Sequence, residues 1–260
     1  SDAAVISRAT HPEIMSALTE VMGWDSDKFA MSRQEAAAFT NEDLVRLNAK
    51  LIGLKHTSTS TAKLSFAEFA EFTGITELPN NFFANSDLTE IVLPNSLENI
   101  GKVSGYNGYT SDEAQGTGLF SGCTQLTKIT FPSNEIFNNE SSMDGNLVKG
   151  VVIPDYFCYG CTALTELTLP KGTVYVGNYT FGKTAIKEMV FPSTTRKLGR
   201  IFAANDEGTD TVIEEITIPA LCTTLDYTAF QAMSLKKINI DRTYITGSGE
   251  VYINPYYTVD

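Results

Sequence analysis

Apolar residues recur along this chain in a fixed pattern, apolar-x-x-apolar-x-apolar, which occurs six times. The alternation of apolar and polar positions within each copy predicts a short strand with one buried face. Proline follows the first five copies, and because it has no N–H to donate to a sheet, it predicts where each strand ends. The copies are Leu88/Ile91/Leu93, Leu126/Ile129/Phe131, Leu164/Leu167/Leu169, Ile186/Met189/Phe191, Ile213/Ile216/Ile218 and Leu235/Ile238/Ile240.

A second apolar column follows the strand pattern, and a third, mostly aromatic column follows the second. A single unit with these columns cannot bury its own apolar side, so we predict that successive units stack and share one core. Gly101, Gly177 and Gly199 directly follow the second column, where we expect glycine to permit a turn with positive φ. The second column is Leu78, Ile100, Ile153, Val176, Leu198 and Leu225, and the third is Phe83, Phe120, Cys158, Phe181, Phe202 and Phe230.

Two stretches, LFSGCTQLTKITFP (Leu119 to Pro132) and YTAFQAMSLKKINI (Tyr227 to Ile240), resemble the BspA-like leucine-rich repeat family. The resemblance extends over about Ile75 to Ile240. It implies an α/β-type repeat solenoid, a strand-rich, right-handed leucine-rich-repeat superhelix over residues 65–260. The tyrosine-rich stretch from Glu250 to Asp260 is expected to form a C-terminal cap over the last repeat. It also implies a bacterial exported or cell-surface protein that contacts host proteins or other cells.

Residues 1–64 lack the repeat and predict a small helical cap at the N-terminus. Serine or threonine three residues before glutamate is the signature of a helix capping box. A phenylalanine-rich segment after Ser65, with Phe66, Phe69 and Phe72, is expected to cover the open core of the first repeat. The three predicted helices begin at the capping boxes Thr10-x-x-Glu13 and Ser32-x-x-Glu35 and at Glu42, the last one ending near Ile52.

The stretch WDSDKFAMSRQEAA is similar to a calcium loop, with Asp25, Asp27 and Glu35 in a suggestive order. Such a loop needs about 12 residues, a third oxygen ligand and a central glycine. Here Asp25 to Glu35 spans only 11 residues, and Phe29 and Ala30 replace the acidic residue and the glycine. We therefore predict a degenerate loop without metal, and these three residues are weak metal candidates.

Charge and composition exclude several classes of protein. The net charge of −12 argues against nucleic acid and against an anionic membrane surface, since both need clustered Lys and Arg. No apolar run has the length of a transmembrane helix. The start, Ser1 to Ala4, lacks a charged leader and an apolar core, which suggests a mature chain from which an export signal was removed. With two histidines and no glycine-rich phosphate loop, we predict no cofactor.

The four cysteines are too few for a disulfide framework in a chain of 260 residues. Cys158 and Cys161 have C-x-x-C spacing, but both lie in repeat columns, which favours buried structural thiols over redox chemistry. Cys123 and Cys161 occupy one column in successive units. A disulfide between them is geometrically conceivable, although free thiols are the preferred interpretation.

Residues that alternate with the buried strand positions should point outward from the sheet. Among them, Glu166, Glu188 and Glu215 fall in one column, and stacked like charges are mildly destabilising there. An acidic stripe of this kind is either a site for a cation or a basic partner, or only a solvated face.

Two insertions in successive repeats should emerge close together on the same side of the solenoid. The first carries Tyr106 and Tyr109, and the second carries Ile136 and Phe137. Loops on a rigid scaffold are common binding sites, and Tyr, Asn, Ser and Gly suit that role. The alternative is that both insertions are mobile and bind nothing.

These observations leave three functional hypotheses. The first is a non-enzymatic adhesion module of an extracellular or cell-surface protein, which binds a protein or glycan ligand on host or neighbouring cells. The second is an enzyme acting on polysaccharide, which would need two carboxylates about 5–10 Å apart in a cleft. The third is a structural spacer. We favour the first and predict that the chain is not an enzyme.

Overall fold

The computed structural model describes residues 3–50, 61–79, 81–100, 118–133, 141–143, 146–148, 150–202, 210–222, 224–225, 229, 234–240 and 258–259. Within them the chain is a strand-rich solenoid of about five turns, preceded by a small helical segment. The helices are α1 (Pro12–Met22), α2 (Arg33–Ala38) and α3 (Asn41–Lys50), and a short 3-10 helix covers Ala67–Glu71.

The strands are short and lie mostly in parallel ladders. They are β1 (Ala4–Ser7), β2 (Ala30–Ser32), β3 (Leu64–Phe66), β4 (Glu77–Leu78), β5 (Leu88–Val92), β6 (Asn99–Ile100), β7 (Lys128–Thr130), β8 (Ser141–Met143), β9 (Asn146–Val148), β10 (Val151–Ile153), β11 (Thr173–Val176), β12 (Glu188–Val190), β13 (Lys197–Leu198), β14 (Glu215–Ile218), β15 (Thr224–Leu225), β16 (Lys237–Ile240) and β17 (Thr258–Val259).

The first strand pattern forms two separate parallel sheets, β3-β5-β7 and β12-β14-β16-β17. Their registers match the sequence alignment: Ile91 lies opposite Ile129, and Ile216 lies between Met189 and Ile238. The predicted strands of the first, second, fourth, fifth and sixth units are therefore confirmed. β17 extends the second sheet beyond the last unit by pairing with β16.

The second column forms its own ladder, in β4-β6 and in β10-β11-β13-β15. Leu78 lies opposite Ile100, and Val176 lies between Ile153 and Leu198. The sheet alignment of this column is thus confirmed in every described unit. Both ladders contribute to one continuous hydrophobic core, in which the first residues of all six strand patterns are buried.

The third column stacks along the same core. The rings of Phe83 and Phe120 are parallel, with centroids 5.7 Å apart, and Phe181 and Phe202 lie 6.3 Å apart. Cys158, which lies in a column otherwise made of phenylalanines, is fully buried, and Phe157 beside it makes an edge contact with Phe120 at 5.3 Å.

The predicted strand of the third unit, from Leu164 to Leu169, does not form. Leu164 and Leu169 are buried as expected, but Leu167 between them is only half-buried. Pairing this segment with β12 would place Glu166 beside Glu188, which already lies opposite Glu215. Because three carboxylates would then lie about 4.8 Å apart, like-charge repulsion gives a physical reason for the segment to stay apart.

The N-terminal segment follows the predicted helices with two corrections. The capping box at Ser32 and Glu35 is confirmed. The one at Thr10 and Glu13 is wrong, because α1 begins one residue later, with His11 as its N-cap and no side-chain cap. The chain also forms an unpredicted antiparallel pair of strands, β1 and β2.

The phenylalanine-rich segment covers the first repeat as expected. Its strand β3 pairs with β5, and His11 Nε2 donates to the carbonyl of Ser65 at 2.9 Å. Phe66, Phe69 and Phe72 are buried together, and the rings of Phe69 and Phe83 meet edge to face at 5.5 Å. These contacts tie the helical segment to the solenoid core.

The prediction of positive φ at the glycines after the second column is wrong for Gly177 and Gly199, and Gly101 lies outside the described residues. Gly177 and Gly199 are needed for close packing between turns instead. A Cβ atom on Gly177 would lie 2.3 Å from Oδ1 of Asp155, and one on Gly199 would lie 2.5 Å from Oδ1 of Asn178. Each carboxylate or amide oxygen accepts a backbone N–H of the next turn, as Asp155 does from Asn178 at 2.8 Å.

Candidate functional site

The segment without strand structure opens a groove in the outward face of the solenoid. The open groove has a volume of about 620 Å³ and runs between the irregular segment and β12. We define it by its lining residues, which are Thr165–Leu169 and Lys171 on one side and Lys187, Glu188 and Val190–Pro192 on the other.

Backbone groups on both sides of the open groove have no hydrogen-bond partner among the described residues. Lys187 O accepts from Glu215 N at 3.0 Å, and Phe191 N points to Thr217 O at 3.5 Å, so these residues face β14. Successive residues of a strand face opposite neighbours, so the N–H and C=O of Glu188 and Val190 face the groove. Within the described chain, no backbone N–H or C=O of residues 165–169 is hydrogen-bonded either.

The two turns that flank the open groove are joined by hydrogen bonds elsewhere. One backbone hydrogen bond, from Ala185 N to Leu164 O at 2.9 Å, fixes its base. On the other side of the same turns, β10 pairs with β11, and Cys158 N donates to Thr180 O at 2.8 Å. The groove is therefore a local opening of one ladder within turns that are otherwise held together.

The exposed side chains of the groove are mixed in character, and they include Lys171 and Lys187 beside the glutamates. Glu166, Thr168 and Glu188 are exposed, and Val190 is 70% exposed, the highest value among the exposed large hydrophobic residues of the described chain. Among the described residues, neither Glu166 nor Glu188 has an ion-pair partner. Glu215, the third member of the predicted stripe, is half-buried and pairs with Lys237 at 3.8 Å. The structure thus brings Glu166 and Glu188 to the two sides of one groove.

The four candidate residues of the insertions, Tyr106, Tyr109, Ile136 and Phe137, lie outside the described residues. The insertion that carries Ile136 and Phe137 also contains the antiparallel pair β8 and β9.

An aromatic patch on the turn side of the solenoid was not predicted. Tyr156 and Tyr179 stack at 5.2 Å, Tyr159 meets Tyr156 edge to face, and Arg200 lies 5.8 Å from the ring of Tyr179. Burial raises the pKa of Tyr156, and the nearby Tyr179 raises it further. The signal was present in the sequence, because Tyr156 and Tyr179 both stand two residues before the third column.

Of the three weak metal candidates, Asp25 and Asp27 are exposed, and Glu35 uses its carboxylate for other contacts. Glu35 accepts the N–H of Ser32 at 3.0 Å and pairs with Lys28 at 3.2 Å. Across the described residues, no three His, Cys, Asp or Glu side chains come together in a group that could hold a metal ion.

The four cysteines are free and buried. The thiol of Cys123 donates to the carbonyl of Phe83 at 3.0 Å, and that of Cys161 donates to the carbonyl of Phe120 at 3.1 Å. Burial raises the pKa of Cys222 to about 12 and that of Cys161 well above its ordinary value. These thiols are structural, as the preferred interpretation of the sequence holds.

Repeats, register and core together define a leucine-rich repeat solenoid, a class of protein-interaction or structural repeat module. The BspA type leucine-rich repeat region family matches residues 58–154, 111–207 and 151–253, with 6 copies of its repeat. This chain belongs to that family. Its members are generally non-enzymatic binding modules and in bacteria are typically surface or exported proteins.

Two solved structures are similar to this chain. A leucine-rich repeat protein from Bacteroides ovatus shares 23% identity over 66% of this chain and 39% of its own, with a TM-score of 0.43. The leucine-rich repeat protein of T. pallidum shares 16% identity over 64% of this chain and 67% of its own, with a TM-score of 0.37. The present chain thus spans about two fifths of the length of the Bacteroides ovatus protein. No curated protein matches it.

Among the helices of the described residues, none combines the length and the apolar character needed to cross a membrane.

Proposed function

We propose that this chain is a non-enzymatic binding module of a bacterial secreted or cell-surface protein, and that it binds a protein or glycan ligand on host or neighbouring cells. The open groove carries the proposal. Glu166 and Glu188 stand at its two sides without ion-pair partners among the described residues, and Val190 is exposed beside them. A concave site with a few polar groups converging on it is the form expected of a recognition site.

The contact residues we propose are Glu166, Glu188 and Glu215, with Tyr106 and Tyr109 of the first insertion and Ile136 and Phe137 of the second as a further set. The family supports the general role, since its members are generally binding modules. The net charge of −12 favours a partner with a basic contact surface.

A panel of purified host surface proteins and glycans tests this function. We expect at least one saturable ligand whose binding is weakened by Glu166→Lys with Glu188→Lys. Tyr106→Ala with Tyr109→Ala is the corresponding double variant in the first insertion. Comparing the two double variants shows whether the ligand binds at the open groove or at the insertions. A panel in which nothing binds would favour a structural spacer and would contradict the proposed function.

One observation favours the enzyme as a second candidate. The open groove has one carboxylate on each side, Glu166 and Glu188, which is the residue pair that glycoside hydrolysis uses. Against it, both side chains are exposed, whereas a general acid in such enzymes usually needs an enclosed apolar position. Release of reducing sugar from a polysaccharide panel, abolished by Glu188→Gln, would support the enzyme and overturn the binding module.

A further inference from the structure

We propose that the open groove binds an extended segment of a partner protein by β-strand addition, with a lysine or arginine of that segment placed between Glu166 and Glu188. The inference rests on the proposed function and specifies the partner's chemistry. Unpaired strand edges are templates for pairing with another chain, and an extended peptide that adds to such an edge gains main-chain hydrogen bonds.

The backbone on both sides of the groove supplies these hydrogen bonds. The N–H and C=O groups of Glu188 and Val190 face the groove, and the backbone of residues 165–169 is unpaired within the described chain. β14 holds β12 in place on one side of this opening, and the pairing of β10 with β11 holds the same turns together on their other side. A partner strand therefore meets an edge that is already in place.

The outward side chains specify a basic residue. Wherever the same outward column holds Lys opposite Glu in a paired strand, the two form an ion pair: Lys128 lies 3.7 Å from Glu90, and Lys237 lies 3.8 Å from Glu215. At the groove, no strand lies between Glu166 and Glu188 to place a lysine opposite them, and neither has an ion-pair partner among the described residues. A partner residue in the same position thus contacts two carboxylates, and lysine or arginine satisfies both.

The positions next to the basic residue follow from the strand period. The side chain one residue after it points inward, toward the half-buried Leu167 and the buried Met189, so it should be apolar. Two residues along, an outward side chain meets Thr168 or the exposed Val190, which suits threonine or valine. The partner segment therefore reads Lys-apolar-Thr-apolar, the same pattern as Lys128 to Phe131 of this chain.

Two capped synthetic peptides test the inference on the intact chain. The first has the sequence LTKITF, from Leu126 to Phe131, and the second, LTEITF, differs only by glutamate for lysine. A third peptide is LTKITF with N-methyl groups at alternate residues, which removes donors along one edge. Each peptide is titrated into the chain, and its affinity is measured from the shifts of backbone amide signals in NMR spectra. Hydrogen exchange is followed at the amides of Glu188 and Val190.

We expect LTKITF to bind about tenfold more tightly than LTEITF, because opposite-charge cross-strand pairs stabilise and like pairs destabilise. The variant Glu166→Lys with Glu188→Lys should reverse this preference. The control variant, Glu77→Lys with Glu98→Lys, changes two exposed residues outside the groove and alters the net charge by the same amount. It should leave the preference for LTKITF over LTEITF unchanged. Binding of LTKITF should slow exchange at Glu188 and Val190.

Three results would overturn the inference: no saturable binding of LTKITF, equal binding of its N-methylated form, or binding that leaves the exchange of Glu188 and Val190 unchanged. The N-methyl result would indicate attraction by charge without strand addition. None of these results removes the proposed function, which fails only if the panel of purified ligands gives no partner or if the chain cleaves polysaccharide.

Discussion

At the scale of single residues, Asp43 shows how a buried carboxylate fixes the start of α3. It accepts the backbone N–H of Thr40 at 3.0 Å, its own N–H donates to the Thr40 hydroxyl at 3.1 Å, and it pairs with Arg46. Burial raises the pKa of Asp43, but the hydrogen bonds from Thr40 and Arg46 outweigh it, and the net pKa lies below its ordinary value of 3.8.

This lowered pKa predicts a pH-dependent contribution to folding. A carboxyl group whose pKa is lower in the folded than in the unfolded state stabilises the fold above the unfolded pKa. Asp43→Asn should therefore lower the free energy of unfolding by about 1–2 kcal/mol near pH 7. The difference should shrink as the pH falls from about 4 through the lowered pKa. Urea unfolding of both proteins across this range checks it, and a difference that does not change with pH contradicts it.

The cysteines give a second prediction at this scale. Because Cys123, Cys158, Cys161 and Cys222 are buried and free, none should react with an aromatic disulfide reagent at pH 8 in the folded chain, and all four should react in denaturant. The raised pKa values of Cys161 and Cys222 act in the same direction, since the thiolate is the reactive form. Fewer than four thiols in denaturant would indicate a disulfide.

At the scale of elements, the sequence correctly predicted which residues of successive repeats lie side by side, but it did not predict that one repeat forms no strand. Leu78, Ile153 and Leu198 pair in the register that their alignment predicted, because each must face the same core. The stretch from Leu164 to Leu169 has the same pattern as its neighbours, so the pattern alone could not show that it stays unpaired. The glutamates at 166, 188 and 215 were the available signal, and their repulsion depends on strand spacing that only the fold supplies.

Two matched proline variants test this difference between elements. Thr217 lies within β14, between two paired strands, and Thr168 is its counterpart in the unpaired segment. Thr217→Pro removes a ladder donor and should cost about 1–3 kcal/mol of unfolding free energy. Thr168→Pro breaks no hydrogen bond of the described chain and should cost about 0.5 kcal/mol. Thermal or urea unfolding compares them, and equal losses would show that the third unit is paired after all.

At the scale of the whole molecule, each repeat is stabilised by its neighbours, and the ends need covering. The phenylalanine-rich segment and β3 cover the first repeat, and β17 extends the sheet past the last one. The solenoid and the covering of its first repeat followed from the sequence because they depend on apolar spacing. The open groove and the tyrosine patch did not, since both depend on which turns approach closely and which separate.

The most direct test of this account is amide hydrogen exchange along β12 in the free chain, resolved residue by residue. Met189 faces β14, whereas Glu188 and Val190 face the open groove. We predict slow exchange at Met189 and exchange near the rate of an unstructured peptide at Glu188 and Val190. Equal protection of all three amides would mean that the third unit pairs with β12, and the account of the groove would be contradicted.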